Sequence, residues 1–213
     1  MTGDDLNRQY SGPRGEDGRV VMERMNEHHA PLWEWCLAHV PSDVSGPVLD
    51  VGCGGGGLLL RLSGMFPDAD LFGVDITDDA LDMTRSVVGS DRLALHRASV
   101  DSMPLDDGSV GLVTAMETYF FWPDLPAALS EIHRVLREDG ILVLGSEMQV
   151  RDDNADRVDR DREAYGVTLF PDAEMARMMA DAGFEVSVDS IPENDWVVFT
   201  ARRGRPGSNP PRP

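Results

Sequence analysis

From residue 47 onward, short apolar runs alternate with amphipathic stretches. Runs of strand length fall at 47–51, 70–75, 92–97, 110–116 and 141–146, and helical periodicity fills 56–65, 78–88, 124–137 and 172–182. Thr77 or Asp78 is placed to cap the second of these helices, and Gly140 and Gly183 punctuate the later ones. The last two apolar runs, FEVSVDSI and DWVVFTAR, are separated by a Pro-containing turn and not by a helix, which predicts an antiparallel pair at one edge. Upstream, Val20, Val21, Met25, Leu32, Trp33, Cys36, Leu37 and Val40 recur at helical spacing, with Pro31 suited to a first helical turn. The expected architecture is α/β: a doubly wound, mostly parallel seven-stranded sheet with an antiparallel last strand. Residues 1–45 are expected to form a flexible arm (1–18) and a helical lid, residues 46–201 the α/β domain, and residues 202–213 a disordered Pro/Gly/Arg-rich tail.

The first strand runs into glycines. PVLDVGCGGGGLLLR reads as a strand, a tight turn at Gly52–Gly57 and a helix start, a main-chain arrangement that accepts a nucleotide-like ligand closely. Two patterns fit it. Gly52-x-Gly54-x-x-Gly57, with Asp75 downstream, satisfies the dinucleotide fingerprint. Asp50-x-Gly52-x-Gly54-x-Gly56 resembles motif I of the class I S-adenosylmethionine (SAM) methyltransferases. A carboxylate at Asp50 would repel a pyrophosphate and suits a ligand whose tail carries an ammonium, so it favours SAM over NAD.

Composition narrows the chemistry. The formal charge is −19, and all 19 basic residues are arginine. Without lysine there is no Walker A lysine, Schiff-base lysine or lysine general base. So acidic a chain is a poor match for the phosphate backbone, and nucleic acid and anionic membranes are disfavoured as partners. No apolar run reaches the roughly 18 residues that span a bilayer. The polar start argues against a signal peptide, and two cysteines, Cys36 and Cys53, give no disulfide framework. The expectation is a cytoplasmic protein; its oligomeric state is open.

Over roughly residues 45–200 the chain resembles a class I SAM-dependent methyltransferase with its Rossmann-like fold. LDVGCGGG matches motif I, ASVDSMPLDDGSVGLVTAME resembles the third motif and fourth strand, and RVLREDGILVLGSE the following helix, turn and strand. The resemblance implies that Asp75 accepts hydrogen bonds from both ribose hydroxyls and that Ile76 packs on the adenine. The adenine amino group is commonly read by an aspartate at the place of Ser99; here serine and the Val100 backbone stand there. The implied cofactor set is Asp50, Gly52, Gly54, Gly56, Asp75, Ile76, Ser99, Val100 and Glu117. MNEHHAPLWEW and TAMETYFFWPDL further resemble an uncharacterised subgroup of small bacterial and archaeal methyltransferases, with Tyr119 one place before the subgroup's tyrosine.

Methyl transfer from a sulfonium needs orientation and desolvation, and sometimes a base. His29, whose ordinary pKa of about 6.5 suits neutral pH, Glu117 after an apolar strand, and Tyr119 are the candidate catalytic residues. The ordinary alternatives are a packed histidine, a helix-capping carboxylate and a core aromatic. Aromatic rings at 119–122 suit a planar or cationic small-molecule acceptor. No metal is expected: Asp152-x-Asn154-x-Asp156 with Glu163 imitates an EF-hand, but Arg157 replaces its glycine, and His28-His29 lacks the spacing of a metal pair on one helix face. An NAD-dependent oxidoreductase and a non-catalytic SAM-binding protein stay open as alternatives.

Overall fold

The computed structural model describes residues 9–204; the expectations for residues 1–8 of the arm and 205–213 of the tail lie outside the described residues. The elements run α1 (Gly15–His28), α2 (Ala30–Leu37), β1 (Val48–Val51), α3 (Gly57–Met65), β2 (Leu71–Asp75), α4 (Asp78–Val88), β3 (Leu93–Arg97), β4 (Val110–Met116), α5 (Leu125–Val135), β5 (Leu136–Ser146), α6 (Ala155–Tyr165), α7 (Asp172–Asp181), β6 (Phe184–Ile191) and β7 (Trp196–Arg203). The seven strands form one sheet in the order β3-β2-β1-β4-β5-β7-β6. β7 pairs antiparallel with both β5 and β6, and the other pairings are parallel. The order reverses between β1 and β4, and ligands of open α/β sheets bind beyond the strand ends at such a reversal.

Strand composition follows position in the sheet. VLDV of β1 and VGLVTAM of β4 are buried throughout because helices cover both faces. One face is packed by α5 and α7 through Leu129, Ile132, Met175 and Met179. The other is packed by α2, α3 and α4 through Leu32, Leu59, Leu62 and Leu81. Thr77 caps α4 by accepting from Ala80 N, and Asp124 caps α5 by accepting from Ala127 N.

Two local expectations differ from the structure. Helix α5 stops at Val135, and β5 starts at Leu136, five residues earlier than the apolar run at 141–146. Leu136 is fully buried opposite Val110, and the ladder then shifts register before Ile141 meets Leu112. Asp139 takes up that irregularity with φ 63°. Arg202 and Arg203, expected in the tail, are paired within β7.

Candidate functional site

The glycine turn leaves β1 directly at the reversal of strand order. Gly52 N and Cys53 N both donate to Val74 O, which bends the chain off the sheet. Gly52 has φ 71°, and a Cβ there would run into the Thr118 side chain. Gly56 has φ 78°, and its Cβ would stand 2.8 Å from Thr84 Cα on α4. Only glycine meets both demands. Thr84 Oγ1 donates to Gly54 O at 2.9 Å and fastens the turn to α4. Asn26 Nδ2 of α1 donates to Gly55 O at 3.1 Å and fastens the N-terminal helices to it. α3 starts at Gly57 with no side-chain cap, so the positive end of its dipole faces the turn.

Beyond the turn lies a cavity of about 690 Å³, within the range of small-molecule sites. Gly52, Gly54, Asp75, Ile76, Ser99, Val100 and Glu117 all line it. Asp75, at the end of β2, accepts from Gly54 N on one oxygen and from Thr77 N and Oγ1 on the other, so its carboxylate is oriented from both sides. Ile76 is 54% exposed, an apolar surface left open at the rim.

Asp50 and Gly56 do not line the cavity. Asp50 lies one residue before the turn, 2% exposed, and accepts from Thr114 Oγ1 of β4 at 2.7 Å. Burial is the largest influence on its carboxyl and pushes it up to about 7, with the nearby Asp75 charge adding and the Thr114 hydrogen bond opposing. Gly56 packs against α4. Tyr10, Ser11 and Pro13 do line the cavity, and the Tyr10 ring meets Tyr165 edge-on at 5.6 Å. Residues 10–13 therefore form part of the wall, where the sequence suggested a flexible arm. Sparse apolar content hid this, because the Tyr10–Tyr165 contact joins residues far apart in sequence.

A second cavity of about 350 Å³ adjoins the first; His29, Glu117, Phe120, Phe121 and Tyr165 line both. Glu117 follows β4 with φ 56°, a left-handed conformation that costs a non-glycine residue of order 1–3 kcal/mol. Its Oε1 accepts from Glu147 N at 2.6 Å. Burial pushes the Glu117 carboxyl up to about 7, only partly offset by His29. Burial lowers His29, but its hydrogen bond to Glu147 and the Glu117 and Glu147 charges outweigh that, and the net direction is upward. Tyr119 lines neither cavity. It is 3% exposed in the core, and burial raises its hydroxyl further. Glu147, just past β5, closes the segment RVLREDGILVLGSE but carries no site role in the sequence reading; the β4–β5 pairing brings it beside Glu117.

Residues 49–144 match the family described as "Methyltransferase domain". Among curated relatives, the chain is 35% identical over 96 residues to malonyl-[acyl-carrier protein] O-methyltransferase of Geobacter sulfurreducens, an alignment covering 44% of this chain and 36% of that protein. It is 32% identical over 105 residues to a ubiquinone/menaquinone biosynthesis C-methyltransferase of Citrifermentans bemidjiense, covering 47% and 45% respectively. The chain thus spans less than half the length of these relatives. Among solved structures, it matches a chain in the complex between the Haloferax volcanii Trm112 methyltransferase activator and a methyltransferase with TM-score 0.79 and 22% identity, over 88% of this chain and 94% of that one. Among the described residues, no helix is long and apolar enough to cross a membrane.

Proposed function

We propose that the chain, whose residues 49–144 match a methyltransferase domain, transfers a methyl group from SAM to a small-molecule acceptor seated in the 350 Å³ cavity. The observation that carries this reading is the adjacency of two cavities that share Glu117 and His29 in their walls. A methyl displacement needs donor and acceptor held on either side of one such boundary, in line and away from water.

The residues of the larger cavity fit the donor. Gly54 lines the cavity with nothing closer than 3.9 Å to the place of its missing side chain, so the main chain there is open to close approach. Asp75 is oriented to take ribose hydroxyls, and exposed Ile76 offers a face for adenine beside Ser99 and Val100. Trp33 lines the cavity, and its buried Nε1 has no hydrogen-bond partner among the described residues, a cost that an anionic tail on the ligand would remove. When bound, SAM supplies an electrophilic methyl on a sulfonium. The protein's part is to orient, to exclude water through Tyr10 and α1, and to offer Glu117 at the boundary as a proton acceptor. The lid favours a small acceptor over a polymer, as do the −19 charge and the absence of lysine.

The test incubates the full chain with methyl-labelled SAM and a panel of small phenols, carboxylic acids and amines. The account expects label in one acceptor class with matching release of S-adenosylhomocysteine, and slower transfer by Glu117→Gln. Tight S-adenosylhomocysteine binding with no transfer across the panel would favour a non-catalytic SAM-binding protein instead.

A further inference from the structure

We propose that His28, His29 and Glu147 form a binding site for one divalent first-row transition-metal ion at the smaller cavity. The imidazole nitrogens and the carboxylate oxygen all lie within 4.8 Å of one another. Glu147 Oε1 stands 3.2 Å from His28 Nε2 and 3.5 Å from His29 Nε2. Ligand atoms held tetrahedrally at about 2.0–2.1 Å from zinc are roughly 3.3 Å apart, so two of the three spacings already have the dimensions of one coordination sphere.

Adjacent histidines on a single helix point about 100° apart, which is why the sequence argued against a metal pair. Here the helix ends between them. His28 is the last residue of α1, and His29 is the junction to α2, with φ −83° and ψ −3°. That corner turns both rings toward the same carboxylate, with centroids 5.2 Å apart. His29 is buried and Glu147 half-buried, whereas the His28 side chain is 69% exposed. The set therefore combines a fixed interior ligand with an open entry from solvent.

The surroundings suit a cation. The Glu117 carboxylate accepts from the Glu147 main-chain N–H, so two carboxyl groups sit together, with the Arg24 guanidinium in the same lining. Two imidazoles and a carboxylate select ions such as Zn²⁺, Co²⁺ or Fe²⁺ over Mg²⁺ or Ca²⁺, which prefer all-oxygen sets. Three protein ligands leave at least one position open, and it faces the 350 Å³ cavity, where it can take an oxygen or nitrogen atom of an occupant. The site goes beyond methyl transfer and does not depend on it, because metal binding is measured without the donor.

The experiment titrates the chelator-stripped full chain with Zn²⁺ by calorimetry and with Co²⁺ by visible absorption, without SAM. The expected result is one ion per chain, a Co²⁺ d–d band, and affinity lowered about 10-fold or more in both His28→Ala and Glu147→Gln. His28 is exposed, so its replacement reports binding and not folding; thermal melts confirm that the variants fold. Absence of binding, or binding that neither variant weakens, would overturn the proposal. The second result would assign the ion to other carboxylates of this acidic chain.

Discussion

Asp50 makes a demand on stability that varies with pH. Its carboxyl is 2% exposed beneath the glycine turn and is pushed up to about 7 by burial. In the unfolded chain it titrates near 3.9. The folded state therefore keeps its proton over a range in which the unfolded state has lost it, so stability falls as pH rises from about 4 to about 7 and is level above. The gap corresponds to a loss of ~4 kcal/mol, an upper bound for a group that relaxes on ionising. Asp50→Asn removes the ionisation and keeps an oxygen that can accept from Thr114 Oγ1. Urea denaturation of ligand-free wild type and variant at pH 4.5, 6 and 8 tests this. The two should be close at pH 4.5, and the variant should be more stable by a few kcal/mol at pH 8. Parallel stability curves across that range, or a less stable variant at pH 8, would refute the reasoning.

Asp75→Asn weakens S-adenosylhomocysteine binding about 10- to 100-fold by calorimetry, the scale of losing charge-assisted hydrogen bonds of ~1.5–3 kcal/mol. Gly52→Ala lowers urea stability by about 1–3 kcal/mol, from its left-handed φ and the Thr118 encounter. Asn26→Ala frees α1 from the turn and costs about one hydrogen bond, ~1 kcal/mol, read as weaker S-adenosylhomocysteine binding. Tyr119→Phe changes kcat less than tenfold, whereas a general base would cost about 100- to 10,000-fold.

The alternation of apolar runs and helices carried the sheet, because each buried parallel strand is a local, nearly continuous apolar segment. The Thr77 cap and the place of Asp75 at the end of β2 were equally legible, since both lie within a few residues of a strand end. The terminal strand pair was readable from a missing helix. What stayed hidden depends on contacts distant in sequence. Asp50 looked like a ligand residue from its spacing, but its neighbour across the sheet, Thr114, turns it inward. Tyr10 belongs to the wall by meeting Tyr165, a residue distant in sequence. Tyr119 resembled a site residue in a motif read along the chain, yet the short helical turn Tyr119–Phe121 points it into the core. Glu147 closes a matched segment without any local mark of a site role, and His28 joins it because a helix ends between two adjacent histidines.

The glycine turn with Asp75 was open to two cofactors on its spacing alone, and the account rests on its being a SAM site. Calorimetric titration of the full chain with S-adenosylhomocysteine and, in parallel, with NADH measures this directly. The account predicts saturable one-to-one binding of S-adenosylhomocysteine, weakened by Asp75→Asn, and no heat from NADH. Binding of NADH without binding of S-adenosylhomocysteine would contradict it.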